Sequence, residues 1–257
     1  MLDADDTRTL ALLFHLNSEP WAGGNDWAED GYLSEFKQIQ DAEARVVLPR
    51  AEGPGALLGV IARRTSCRAF AETTMALADL SEILAGSYGL GRTISYPGGL
   101  ESRARPVPSA GALYPLELYV LVSEVEAADD GLYHYDVLDH TLERMRTDVD
   151  SRALGEAMIA APLLHNANAV VFLSAVFDRT LRKYGPRGYR YILFEAGHVA
   201  QNLCLLATER GLASLCVGGF VDARVNRLLK LEPQVEAVVY CVAFGHPADE
   251  DAARDVA

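Results

Sequence analysis

The stretch from Lys183 to Gly219 constrains this chain most. It opens on a charged and aromatic run, Lys183-Tyr184-Gly185-Pro186-Arg187-Gly188-Tyr189-Arg190, and continues as an apolar segment from Tyr191 through Ala207. Ile192, Leu193, Phe194, Ala196, Val199, Ala200, Leu203, Cys204, Leu206 and Ala207 point in nearly every direction of a helical wheel, the pattern of a buried helix. Arg210 in the last turn and Gly211 after it form a stop signal. About 20 residues give a helix roughly 30 Å long, the span of a domain. A membrane span is excluded, because Glu195, His198, Gln201 and Asn202 would each be costly in lipid. The reading is the central helix of a soluble core, followed by a short strand, Leu212 to Val217, and the turn Gly218-Gly219-Phe220.

Around that helix the chain is organised as one domain. Its 257 residues, half of them hydrophobic, suffice for a sizeable core without low-complexity tracts. Strands are expected at Glu117–Val122 and Ala169–Val176, and again at Ala237–Phe244, with a hairpin from Gly131–Asp136 to Thr141–Met145. Helices are expected at Thr9–His15, Ala56–Ala62, Met75–Leu84 and Leu154–Ala161. Strands and helices mix without strict β-α-β alternation, which favours an α+β fold with the long helix packed on a sheet. Residues 1–55 read as an N-terminal extension lying on a domain of residues 56–257.

A net charge of −13 argues against nucleic acid and against an anionic membrane surface as partners. The start, Leu2-Asp3-Ala4-Asp5-Asp6, has the wrong charge for a secretory signal, so a cytoplasmic location is expected. The four cysteines form no C-x-x-C pair, and Cys204, Cys216 and Cys241 lie in apolar runs as small buried hydrophobes.

Against this acidic background Arg64-Thr65-Ser66-Cys67-Arg68 stands out. In an extended segment Arg64, Ser66 and Arg68 share one side, offering two guanidiniums and a hydroxyl to a phosphate or carboxylate. A solvated turn paired with the protein's own carboxylates fits the spacing equally well. Pro108-Ser109-Ala110-Gly111-Ala112 and Gly218-Gly219 are small-residue turns where a ligand could approach the backbone, or ordinary turns. Lys183-Tyr184 could serve as a proton acceptor, since an ammonium beside a phenol favours its ionised form. Adjacent residues do not share a helix face, so this role needs a loop or a helix start; a surface Lys beside a packing Tyr is the simpler alternative. Glu195 and His198 share a helical face without a third ligand, which suggests a hydrogen-bonded structural pair and no metal site. Dinucleotide, P-loop and serine-hydrolase signatures are absent.

Taken in order, Arg64-x-Ser66-x-Arg68, Pro108-Ser109-Ala110-Gly111-Ala112-Leu113-Tyr114-Pro115, Gly131-Leu132-Tyr133-x-Tyr135, Ala196-Gly197-His198-x-Ala200-Gln201-Asn202-Leu203 and Gly218-Gly219-Phe220 resemble SagB-type dehydrogenases. These are a branch of the flavin-dependent nitroreductase superfamily that includes azoline oxidases of thiazole- and oxazole-forming peptide pathways. The resemblance covers about residues 56–247. It implies a nitroreductase-like α+β homodimer, with a central mixed sheet flanked by helices and FMN at the subunit interface. It implies that Arg64, Ser66 and Arg68 hold the phosphate and ribityl chain. Pro108, Ser109, Ala110 and Gly111 would approach the flavin, with Gly218 and Gly219 along its ring. The family's azoline oxidases carry a Lys-Tyr pair before the central helix, which makes Lys183 and Tyr184 the implied catalytic pair. The implied reaction dehydrogenates a thiazoline or oxazoline on a peptide or small natural product, with a cyclodehydratase as partner. Nitro or quinone reduction by NAD(P)H, or a non-catalytic flavin-fold subunit, are the rival readings. Many nitroreductases add a basic residue beyond the last strand; here only Arg254 remains, with Arg105 as a substitute candidate.

Overall fold

The computed structural model describes residues 4–18, 46–48, 55–95, 99, 101–147, 149 and 151–248. Six strands form one sheet in the order β5-β4-β3-β6-β8-β7: β3 (Leu116–Val122), β4 (Gly131–Asp136), β5 (Thr141–Arg146), β6 (Ala169–Val176), β7 (Ala213–Val217) and β8 (Glu236–Gly245). A separate small hairpin pairs β1 (Thr93–Ser95) with β2 (Glu101–Arg103). All five ladders of the main sheet are antiparallel, and its parallel component is a bridge between Ser66 and Ser214 at the β7 edge. The mixed character expected of the sheet is thus confined to that bridge.

The sheet is covered on both faces, which explains the continuous apolar run of β6. Val171 and Leu173 face the layer of α3 (Leu77–Tyr88) and α6 (Arg187–Glu209), while Val170 and Phe172 face α4 (Ser151–Ala157) and α7 (Asp222–Leu229). Each large apolar side chain buried this way contributes about 2 kcal/mol. Between β6 and β8 the register slips at Leu173/Ser174, so that Leu173 pairs with Tyr240 and Ser174 with Val238. This bulge turns both Val239 and Tyr240 toward α6.

α6 begins four residues before the predicted apolar segment and ends on a Schellman motif. The Leu212 N–H reaches the Ala207 carbonyl at 2.8 Å and the Gly211 N–H reaches Thr208 at 3.2 Å, with Gly211 left-handed at φ 73°. One expectation is corrected here: α6 is not buried all round. Ile192, Ala196, Val199, Leu203 and Ala207 are core, but Leu193 is 38% and Phe194 59% exposed, on a face shared with Gly197, His198 and Gln201.

Other differences are local. α3 starts at Leu77 because Met75 is bridged to Val125. α4 stops at Ala157 because Met158 bridges to Phe220. Two short polar helices were not anticipated, α5 (Phe177–Tyr184) and α7, since eight residues carry too few periods to stand out. α2 (Ala56–Arg63) packs on α6. In α1 (Ala4–Asn17), His15 is buried with Nδ1 2.9 Å from the Tyr189 hydroxyl. The aromatic run Trp21 to Trp27 lies outside the described residues. No helix among the described residues is long and apolar enough to cross a membrane.

Candidate active site

The small-residue loop before β3 and the Lys-Tyr pair meet. Ala110–Ala112 form a single 3₁₀ turn in which Gly111 is left-handed, at φ 66° and ψ 17°. A Cβ on Gly111 would lie 2.8 Å from Lys183 Nζ and 2.8 Å from the Tyr184 hydroxyl. Both catalytic candidates therefore converge on one point above the loop. Ala112 (φ 54°) and Tyr114 (φ 45°) are also left-handed, each costing roughly 1 kcal/mol. Strain of this kind persists only where surrounding structure imposes it, and it collects at functional sites.

Lys183 and Tyr184 occupy the last turn of α5, not the loop or helix start that the pairing was expected to need. The end of the helix frees both side chains to reach the same side. Lys183 Nζ stands 5.3 Å from the Tyr184 ring centroid, within cation–π range, and the ring packs edge-on against Tyr191 at 5.1 Å. Lys183 is exposed and Tyr184 half-buried, so the phenol is steadied by its neighbours yet open to a substrate.

Beneath the loop lies a buried polar chain. The Tyr88 hydroxyl donates to Glu195 Oε1 at 2.9 Å and accepts the Leu116 N–H at 3.2 Å. Glu195, 2% exposed, also takes a hydrogen bond from Ser109, whose Oγ accepts the Tyr114 N–H at 2.9 Å. Burial pushes the Glu195 carboxyl up, opposed by these hydrogen bonds and by the Arg105 charge. Burial, reinforced by Glu195, pushes the Tyr88 phenol up as well. The Arg105 guanidinium stacks 4.1 Å over the Tyr88 ring and 5.1 Å from that of Tyr114, and its Nη1 is buried with no hydrogen-bond partner among the described residues. The Ser109 hydroxyl is thus committed to shaping the loop, which leaves backbone and the exposed faces of Pro108 and Gly111 toward a ligand.

The anion candidates form a second group. Residues 64–69 run extended along β7, tied by the Cys67 N–H to the Ser214 carbonyl at 2.9 Å. Ser66 and Arg68 are exposed, Arg64 is half-buried with Nη1 3.5 Å from Ser66 Oγ, and Arg68 has no ion-pair partner among the described residues. Gly218 and Gly219 follow β7; a Cβ on Gly218 would meet nothing within 4 Å. Among the described residues no hydrogen bond or ion pair joins this group to the Ser109–Lys183 group. Their anchors on α6, Cys204 and Glu195, are nine residues apart, about 14 Å along the helix.

Two expectations fail. Glu195 pairs with Tyr88 and Ser109 rather than with His198, which lies on the exposed face of α6. Arg105 belongs to the buried chain beneath the loop, not to the Arg64 cradle; Arg254 lies outside the described residues. Tyr88, Glu195 and Arg105 escaped the sequence reading as one network because they come from three distant segments. Their only signal was polarity within apolar surroundings.

Comparison with known proteins now adds to this geometry. Residues 61–246 match the model of the Nitroreductase family. A putative nitroreductase from Methanocaldococcus jannaschii is 36% identical over 173 residues, 67% of this chain and 83% of that protein. The microcin B17-processing protein McbC of Escherichia coli is 31% identical over 152 residues, 57% of this chain and 56% of McbC. Among solved structures, a chain of the E. coli microcin synthetase McbBCD complex with truncated pro-MccB17 bound superposes with a TM-score of 0.68 at 23% identity. The match covers 96% of this chain and 95% of that one. A putative nitroreductase from Desulfovibrio desulfuricans in complex with FMN gives 0.53 at 14%, over 77% and 89%. With most of its length matched by the family model, and the fold shared with these structures, the chain belongs to the nitroreductase family.

Proposed function

We propose that this protein is an FMN-dependent dehydrogenase that oxidises thiazoline or oxazoline rings on a peptide or related natural product. The observation that carries the reading is the convergence of Lys183 Nζ and the Tyr184 hydroxyl over Gly111. The name and the complex of the E. coli relatives, a microcin-processing protein and a synthetase with a pro-peptide bound, favour a peptide substrate and a cyclodehydratase partner. The residues present fit FMN: exposed Arg64, Ser66 and Arg68 suit a phosphate on an otherwise acidic chain. The Gly111 loop offers open backbone, and Arg105 Nη1, on the Tyr88 and Tyr114 rings, is buried with no hydrogen-bond partner among the described residues. Arg64, Ser66 and Arg68 would hold the phosphate and ribityl chain, with Pro108 to Gly111 and Gly218-Gly219 beside the ring. When bound, the flavin supplies the hydride acceptor, N5.

Tyr184 acts as the base, taking the proton from the ring carbon at its phenol oxygen. Lys183 holds its ammonium beside that oxygen and steadies the negative charge that develops. Glu195, through Ser109, holds the strained loop against which both groups converge. Residues 1–55 belong to this reading as an extension on the 56–257 domain, supported by the contact of His15 with Tyr189. A cytoplasmic setting fits four cysteines that form no disulfide.

The test uses purified protein with FMN and a thiazoline-containing peptide. Tyr184→Phe should retain flavin and lose about 100-fold or more of the oxidation rate, the usual contribution of a positioned base. Undiminished turnover would remove Tyr184 from the mechanism. A flavin-bound wild type that reduces nitro compounds with NAD(P)H yet oxidises no azoline would overturn the substrate assignment.

A further inference from the structure

Behind the anion cradle, α6 and β7 bring two thiols together. Cys204 Sγ and Cys216 Sγ are 3.5 Å apart; Cys204 is 3% exposed and Cys216 is half-buried. Cys216 is thus the more accessible of the two thiols, with Cys204 within the core. The groups facing the pair are Arg64, whose charge favours thiolate at both, Tyr240, which hydrogen-bonds Cys216, and Ser214, buried beside Cys204. Tyr240 is there because the β8 bulge turns it toward α6. The ring that a Cys204–Cys216 bond would close runs from the end of α6 through the Gly211 turn into β7, two elements already adjacent in space.

We propose that Cys204 and Cys216 are a hydroperoxide-reactive thiol pair, with Cys216 as the attacking sulfur and Cys204 as the resolving one. The Cys216 thiolate attacks one oxygen of hydrogen peroxide; an S–O bond forms, the O–O bond breaks, and hydroxide leaves. Cys204 then attacks the resulting sulfenic sulfur, forming the S–S bond and expelling hydroxide, which takes the Cys204 proton and departs as water. Two thiols lose two electrons in all, and one peroxide becomes two waters. A dithiol reductant restores the pair by exchange.

The electrostatics divide the two roles in the same way. The hydrogen bond from Cys204, opposed by burial and helped by Tyr240 and Arg64, lowers Cys216 to about 6. That same hydrogen bond, with burial, pushes the Cys204 thiol up, so it keeps its proton until the second step. Cys241 is fully buried on the opposite face of the sheet, and Cys67 is half-buried with its thiol directed at the Ala69 carbonyl at 3.1 Å. They serve as internal controls.

The experiment uses the reduced full-length protein and hydrogen peroxide near stoichiometry at pH 7. Non-reducing peptide mapping should find a Cys204–Cys216 cross-link, with the intact mass lower by about 2 Da. Before oxidation, Cys216 should alkylate about tenfold faster than Cys67. Cys204→Ser should arrest the chemistry at a Cys216 sulfenic acid that a dimedone probe captures. Wild-type protein whose map shows both thiols free after peroxide, or oxidation that begins at Cys67, would overturn the proposal. Both decisive readings come from unsubstituted protein, so they hold whether or not the variants fold.

Discussion

Tyr88 donates its hydroxyl to Glu195 across 2.9 Å, joining the last residue of α3 to the middle of α6. Through the Leu116 N–H on one side and Ser109 on the other, that bond ties two helices to the start of β3 and to the strained loop. Removing one partner leaves buried polar groups unmatched, the expensive way to lose a hydrogen bond. Tyr88→Phe should therefore lower unfolding free energy by about 1–3 kcal/mol. In a double-mutant cycle with Glu195→Gln, denaturant unfolding should give a coupling above about 0.5 kcal/mol. Additive effects would mean that the two side chains do not share a network.

This network marks the boundary of what the sequence could convey. Strands β3, β4, β6 and β8 were legible to within a residue or two at each end, because alternation and β-branched runs are local signals. Gly211 ended α6 as read, by a mechanism one residue type performs best. The exposed face of α6 was not legible. Leu193 and Phe194 look like core in a helical wheel, and only the packing of other elements reveals which face is left uncovered. The site was legible as residue types but not as groups. Nothing in the spacing of Gly111 and Lys183 shows that they meet, and nothing in Arg105 shows that it stacks on Tyr88 rather than joining Arg64.

Gly111→Ala tests the meeting point directly. The substitution forces an L side chain into the left-handed region, at about 1 kcal/mol, and drives its methyl into Lys183 Nζ and the Tyr184 hydroxyl. Lysine can swing aside; the tyrosine ring, packed on Tyr191, has less room. The variant should melt only slightly below wild type while substrate oxidation falls about tenfold or more, since small misplacements of catalytic groups are costly. Wild-type turnover in a folded Gly111→Ala protein would show that the convergence has no role.

A pH-dependent contribution arises at the other side of the sheet. His134 lies between two carboxylates, Nε2 3.2 Å from Glu117 and Nδ1 3.0 Å from Glu143. The hydrogen bond with Glu117, opposed by burial and aided by Glu143, raises His134 to about 9 from the ordinary 6.5. Burial alone would raise Glu117, but His134 and Arg179 reverse this and hold it below the ordinary 4.5. The His134 contribution is complete below pH 6.5 and is lost as pH rises through 9. That of Glu117 is complete above 4.5 and is lost as pH falls below it. After solvent screening, the pair stabilises the fold by about 2 kcal/mol. His134→Gln should therefore melt well below wild type at pH 5.5–6.5 and nearly with it above pH 9. A gap that does not change with pH would exclude the ion pair as its cause.

The last prediction concerns what covers the open face of α6. Phe194 is 59% exposed beside Leu193, and α2, which packs on α6, exposes Leu57 at 67%, Leu58 at 47% and Ile61 at 45%. Exposed apolar side chains gathered on two packed helices of a chain of net charge −13 are poorly explained as solvent-facing. A second copy of the chain, related by a two-fold axis, would supply an apolar partner for this face. The two halves of the site, anchored about 14 Å apart on α6, also suit a cofactor bound where two subunits meet. Wild-type protein should sediment as a dimer at micromolar concentration, and Phe194→Asp, which places a carboxylate on this apolar face, should shift it to monomer. If the composite site is correct, that monomer should stay folded by circular dichroism and lose its flavin absorbance. A wild type that sediments as monomer with flavin bound would show that one chain completes the site alone.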